Sequence, residues 1–336
     1  MIKICFNLLL FFFTVFFSFG NENDIVLRQL IEEKKEIKSV EKLALWADDV
    51  DSYFTGQKKT GELAEFLGET ASAEKNALFS SYLYFRLSDI YWLNDNKEIA
   101  VYYMTKIDEN AYNIIYDDKP IGYLVALRII SYECNFKFQE KMYKLLLEKY
   151  PDKIDVIYTM NDFAKMYKKN LDIQNAINLM QQILVLAKKN KNVEETINLS
   201  EIKQEVDFFY LKKDRIYKDI RVLIKGINKA IKSKNIRALK SYISRTGFDV
   251  IFFQKSNQNR WNFDELSIET HFSDNIMFSD RFEDFSNENE IYLRTDNWDF
   301  PQMTTWYFYF KRVDYPYDEK IDGGWEWKGI FFGDFF

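Results

Sequence analysis

Histidine and cysteine are almost missing from this chain of 336 residues. Its one histidine, His271, cannot build a histidine metal cluster or a histidine pair, and a hydrolytic triad would have to use that ring alone. Of the two cysteines, Cys5 lies in an apolar leader and Cys134 in an apolar helical stretch. A processed chain therefore has one thiol, expected to be buried and inert, and no internal disulfide. No phosphate-cradling glycine loop and no dinucleotide fingerprint occurs. Between Glu69 and Thr246 the only glycines and prolines are Gly122, Gly226, Pro120 and Pro151. Such scarcity is the composition of helices joined by short turns.

What is present begins with a leader. Lys3 precedes a nearly continuous apolar run, Ile4 to Phe19, and Ser18-Phe19-Gly20 places small residues where a signal peptidase reads. Residues 1–20 are thus expected to be a signal peptide directing export, to the periplasm in a bacterium. A retained inner-membrane anchor through residues 4–19 is the alternative, although the run is shorter than the roughly 20 residues of a spanning helix. Cys5 opens the run rather than closing it, which excludes a lipoprotein-type lipidated cysteine.

Charge is uneven. Residues 247–336 carry 8 Lys+Arg against 18 Asp+Glu, a net of −10, and residues 21–246 carry 37 against 34, a net of +3. The acidic end argues against nucleic acid as a partner. The lysines of the middle are interleaved with acids, as on a solvated helix face.

The most informative pattern is a duplication. Leu87, Ser88 and Tyr91, followed by Ala100, Met104 and Ile107, recur 76 residues later as Phe163, Ala164 and Tyr167, followed by Ala176, Met180 and Ile183. Slim residues let two antiparallel helices approach, and the larger ones fill the seam. A third, degenerate hairpin lies between them, with Ala126, Ile130, Tyr143 and Leu146 in place but Gln139 where a small residue belongs. Asn94-Asp95-Asn96 separates the helices of the first hairpin, Pro120-Ile121-Gly122 opens a helix, and Tyr150-Pro151-Asp152 closes one. Leu27, Leu30, Ile31, Leu43 and Trp46 predict one or two further helices at the start.

Hairpins at a spacing near 38 residues with these choices resemble tetratricopeptide repeats, whose usual length is 34. The resemblance covers about Ala73 to Leu186, and the family's tryptophan position is held by Tyr84 and Met160. A plain helical bundle is the competing expectation. A helix from Val193 to about Lys212 would cover the open end.

Beyond it the character changes. Ile216 to Ile231 reads as an amphipathic helix, Asn235 to Ser244 as a short one, and Gly247 ends it. Period-two aromatic runs then predict strands at Phe248–Gln254, Leu266–Phe272, Ile291–Arg294, Trp306–Phe310 and Trp325–Phe331, the last with Trp325, Trp327 and Phe331 on one face and Glu326, Lys328 and Phe332 on the other. The stretch from Val222 to Asn235, with Leu239 and Tyr242, resembles the opening of SnoaL-like (nuclear-transport-factor-2-like) domains. Gly323-Gly324-Trp325-Glu326-Trp327-Lys328-Gly329 is also reminiscent of Src-homology-3-like barrels, but too little chain follows to complete one.

The expected fold is therefore multidomain. It comprises a signal peptide (1–20), N-terminal helices (21–70), all-α helical-hairpin repeats (71–214), and an α+β domain with a curved, mostly antiparallel sheet (215–336). The arrangement resembles spirochaetal envelope proteins that join tetratricopeptide-like helices to a SnoaL-like tail.

For function, the resemblance implies a non-enzymatic adaptor that binds another envelope or periplasmic protein, without cofactor or metal. In such stacks the first helix of each pair lines the concave face. That assigns Tyr82, Phe85, Asp89 and Trp92 in the first hairpin, and Asn161, Lys165, Lys168 and Lys169 in the third, to partner binding. An aromatic end beside a lysine end suits a peptide with an apolar anchor and an acidic tail. A further expectation is that these lysines instead dock the chain's own acidic C-terminal part.

The alternative function is a small-ligand carrier or enzyme, with Trp306, Phe308, Phe310, Trp325 and Trp327 lining a pocket of the α+β domain. His271, sharing a strand face with Glu265 and Glu269, is expected to be exposed and ion-paired rather than catalytic. The carboxylates Asp280, Glu283, Asp284, Glu288 and Glu290 read as a solvated loop rather than a calcium site.

Overall fold

The computed structural model describes residues 23–132, 134–189, 197–254, 257–261, 263–300 and 303–333. The expected leader lies outside them, and no helix among the described residues is long and apolar enough to cross a membrane. Thirteen α-helices among these residues lead into a C-terminal mixed sheet. Contacts divide the chain into two compact units, Met1–Phe163 and Ala164–Phe336. Composition changes near residue 215, whereas packing groups the last helices with the sheet.

The first unit opens with α1 (Asn23–Lys35), α2 (Val40–Gly56) and α3 (Thr60–Ala73), three helices where one or two were expected. Ser39 caps α2, and Trp46 on α2 donates its indole N–H to the Leu30 carbonyl of α1, 2.7 Å away. Asn76 caps α4 (Ala77–Leu93), and Asp95 adopts a left-handed backbone (φ 59°) in the turn to α5 (Lys97–Met104). A two-stranded ribbon, β1 (Ile115–Tyr116) and β2 (Lys119–Pro120), turns through Asp117 and Asp118, both at positive φ, as a tight hairpin needs. Proline then starts α6 (Ile121–Ile130), which packs on α7 (Phe136–Lys149). Gln139, the misfit of the degenerate hairpin, donates its side-chain amide to the Tyr132 carbonyl at 2.8 Å, just beyond the end of α6, and to the Ile129 carbonyl of its last turn at 3.5 Å. Cys134 lies in the α6–α7 connection rather than within a helix, and it is half-buried rather than enclosed.

α8 (Val156–Lys169) is the helix in which the division of units falls, and α9 (Ile173–Ala187) follows it. The twelve residues of the duplication are alike in burial: eleven are buried, Ala100 and Ala176 completely, and Tyr91 is half-buried.

In the second unit α10 (Leu199–Tyr210) begins at its Asn198 cap and packs on α9. It starts later than the predicted helix, whose start at Val193 lies outside the described residues. α11 (Ile220–Lys232) buries Leu223, Ile227, Ala230 and Ile231. It starts at the Asp219 cap rather than at Ile216, because Tyr217 instead exchanges two backbone hydrogen bonds with Trp325. Gly226 admits the Tyr242 ring, since an added Cβ would sit 2.5 Å from its hydroxyl. The short α12 (Ile236–Lys240) follows.

The sheet has six strands in the order β4-β3-β8-β7-β6-β5: β3 (Asp249–Gln254), β4 (Asn257–Trp261), β5 (Met277–Phe278), β6 (Glu290–Asp296), β7 (Trp306–Arg312) and β8 (Trp325–Gly333). All neighbours are antiparallel except β3 and β8, which are parallel.

Two strand expectations need correction. Leu266–Phe272 forms no strand: α13 (Phe263–Leu266) runs into a 3-10 turn at Ile268–His271, with Ser267 at φ 48° between them. Short side chains decide this locally, because the Thr270 hydroxyl donates to the Ser267 carbonyl at 2.9 Å and competes with a ladder. On β8 the pairing slips beside Tyr309/Phe310, so that Phe310 faces Trp327 and Tyr309 faces Gly329. This bulge turns Phe331 to the face opposite Trp327, where it joins Ile251 and Tyr309, and places Ile330 and Phe332 in the main core instead.

Candidate functional site: a guanidinium cluster and a lysine contact

On α4 the residues Tyr82, Phe85, Arg86, Asp89 and Trp92 recur every three or four positions and form one stripe. Asp48 and Asp51, three apart on α2, both meet Arg86: Asp48 through Nη1, and Asp51 through Nη2 at 3.4 Å. The Arg86 side chain is only 10% exposed, and its guanidinium lies 5.5 Å from the Tyr116 ring centre. Burial alone would lower its pKa, but pairing with Asp48 raises it, so the charge is secure.

Arg128 of α6 pairs with Asp89 through Nη2, and the Tyr116 hydroxyl donates to the other oxygen of that carboxylate at 3.1 Å. Its guanidinium stands 5.6 Å from the Phe85 ring centre and 5.7 Å from that of Trp92. Arg128 Nη1 is buried with no hydrogen-bond acceptor. Burial, ahead of the neighbouring Asp89, pushes the Tyr116 phenol up to about 12.

The expected partner-binding set is thus split. Tyr82 and Phe85 are buried and serve as walls for the arginines, Asp89 is engaged by Arg128 and Tyr116, and Trp92 stays half-exposed. The residues that sequence reading missed are Asp48, Asp51, Arg86, Tyr116 and Arg128. A signal for two of them existed: residues 1–163 contain only Arg28, Arg86 and Arg128 among many lysines. A lysine-rich chain that spends arginine sparingly uses it where a planar, weakly hydrated fork is needed.

On α8, Asn161 is half-buried, while Lys165 and Lys169 are exposed. Lys168 is half-buried, with Nζ 2.7 Å from Glu205 Oε1 of α10 and 5.8 Å from the Tyr317 ring centre. Burial would pull its pKa down, and the pairing with Glu205 outweighs that and raises it.

The aromatic candidates of the sheet domain sit in its core. Trp306, Phe308, Phe310 and Trp327 are fully buried, and Trp325 is half-buried beside Tyr217. Trp298 and Trp306 stack at 4.2 Å, Trp306 and Phe332 at 5.0 Å, and Phe308 meets Trp327 at 5.0 Å. Each buried indole N–H is satisfied: Trp298 by Thr295, Trp306 by the Met303 carbonyl and Trp327 by the Gly329 carbonyl.

His271 shares no strand face with Glu265 and Glu269. Its ring is half-buried, edge-on to Phe300 (4.7 Å) and Trp306 (5.8 Å), with Nδ1 3.0 Å from the Asp299 carbonyl. No group of three or more metal-ligating side chains forms among the described residues, the carboxylates around Glu283 included. No protein-family model matches this chain, and no curated protein matches it significantly.

Proposed function

We propose that this chain is an exported, non-catalytic adaptor or scaffold of the bacterial envelope that binds a partner protein through its helical hairpins. The observation carrying the reading is the matched burial of two sextets 76 residues apart, Ala100 and Ala176 among them. Repeated seams of this kind support a tetratricopeptide-like stack, whose regular inner faces suit protein partners. In the second unit, helices preceding one mostly antiparallel sheet support the SnoaL-like resemblance. Its filled aromatic interior favours a structural role for that domain over a carrier.

On the first unit, half-exposed Trp92 beside Arg128 gives a partner an aromatic anchor point. Affinity capture from envelope extracts tests this: Trp92→Ala should lose the partner recovered by the intact chain. Recovery of the same proteins by both would reject the site.

A second reading, a ligand pocket in the sheet domain, has one point in its favour: Asn228 Oδ1 on α11 is buried without a hydrogen-bond donor. A polar ligand that satisfies it should protect the domain thermally, and Asn228→Leu should abolish that protection.

A further inference from the structure

The loop between β7 and β8 carries Asp314-Tyr315-Pro316-Tyr317-Asp318-Glu319, two tyrosines flanked by acids. Tyr315 is buried and meets Phe208 of α10 edge-on at 4.9 Å. Val313 and Ile321 are buried with it, against Phe208, Ile216 and Tyr317. The loop holds its own shape, with the Tyr315 N–H donating to Asp322 Oδ1 at 2.9 Å and the Val313 N–H to the Gly324 carbonyl at 2.7 Å. At its far side the Tyr317 ring lies under Lys168 Nζ, which also binds both Glu205 oxygens at 2.7 Å and 2.9 Å. An aromatic segment flanked by acids thus touches Lys168 through the Tyr317 ring, while Glu205 supplies the carboxylate that this lysine binds; ring and carboxylate together are the chemistry the helical surface was expected to seek in a partner.

We infer that the Lys168 face of the second unit is a recognition surface for peptide segments in which aromatic side chains are flanked by carboxylates, and that residues 313–319 occupy it in cis. This rests on the protein-binding reading above and names the class of partner. A tethered segment presents itself at an effective concentration on the order of mM, so contacts that are weak between separate molecules suffice to keep the face closed. An external segment of the same chemistry binds when it displaces the loop, or when the loop is drawn away.

The test uses the full chain and a fluorescein-labelled synthetic peptide of residues 312–320, with binding read by anisotropy. The Tyr315→Ser/Tyr317→Ser variant, freed of its occupant, should bind the peptide at least about tenfold more tightly than the unaltered chain. Adding Lys168→Glu should remove that gain. Circular dichroism checks that the variant is folded; if the double change unfolds it, Tyr317→Ser alone, at a half-buried position, takes its place. Equal binding by variant and unaltered chain, no binding by a folded variant, or binding indifferent to Lys168→Glu would each overturn the inference. These outcomes are separable from the adaptor reading, because Trp92-dependent capture can succeed or fail whatever this peptide does.

Discussion

In the first unit two guanidiniums stand among the helices, each held by aspartate and flanked by rings. The interior of the second unit is mainly stacked indole and phenyl carbon, with an acceptor placed for each of its three buried indole N–H groups. Both arrangements fill space between elements, but they differ in how they fix it. Carbon packing is tolerant of direction, and its strength grows with area. A guanidinium that ties its own helix to the carboxylates of another fixes orientation, at the cost of desolvating charge. The first unit uses that directional device between helices, α2 with α4 and α4 with α6, and the second adds pairings more distant in sequence, such as β3 with β8.

The largest break of this comparison is in the aromatic core. Trp306→Ala should destabilise the second unit by about 4 kcal/mol, since a wholly enclosed indole leaves a cavity. Trp325→Ala, at a half-buried position, should cost much less. Hydrogen exchange read by peptide should place the loss in residues 164–336 and leave the first unit's protection unchanged.

Next comes the arginine device. Arg86→Ala should cost about 3 kcal/mol in urea unfolding, and Arg86→Lys should recover little of it, because a single ammonium cannot reach Asp48 and Asp51 as a fork does. Buried phenols of the first unit, Tyr116 beside Arg86 among them, add a pH limit. Burial is the first cause that pushes Tyr112, Tyr116 and Tyr143 up to about 12. A raised pKa means the folded state holds the proton more tightly, so this stability is complete below the ordinary tyrosine value near 10. It is lost as pH rises from about 10 to 12, and absorbance of phenolate against pH should show these tyrosines ionising with unfolding.

What could be read beforehand was what lies within a helix turn or a strand. The slim residues Ala100 and Ala176, the Pro120 start of α6 and the alternation Trp306-Phe308-Phe310 all behave as their local pattern indicates. Arg86 and Arg128 were legible only as rare arginines, since their aspartates lie 35 to 39 residues away and pairing across that distance leaves no local signature. Leu266 and Ile268 kept the burial that their alternation implied, but hydrogen bonds from Ser267 and Thr270 curled the backbone beneath them. Phe331 was misplaced because one bulge, invisible in composition, reverses every face beyond it.

The slim positions sharpen the comparison at intermediate scale. Ala100→Leu and Ala176→Leu each force three further heavy atoms into a fully closed position and should each cost about 2 kcal/mol. The first change should act on residues 1–163 and the second on 164–336, by the same hydrogen-exchange readout. Similar penalties would match a repeated seam, and a free Ala176→Leu would break the equivalence of the two hairpins.

The smallest effect belongs to the lysine contact. Lys168 and Glu205 side chains are 25% and 21% exposed, so solvent reaches the cation itself, whereas the Arg86 side chain is only 10% exposed although its partner Asp48 is open to solvent. Lys168→Ala should cost about 0.5 kcal/mol, fading as salt is raised. Its cost in stability should therefore be far below that of Arg86→Ala, while its effect on recognition of aromatic and acidic segments is large. A stability loss near 3 kcal/mol that salt leaves unchanged would place Lys168 with the buried guanidiniums as a fixed strut. A small, salt-sensitive loss leaves it as a contact weak enough to be exchanged for a partner.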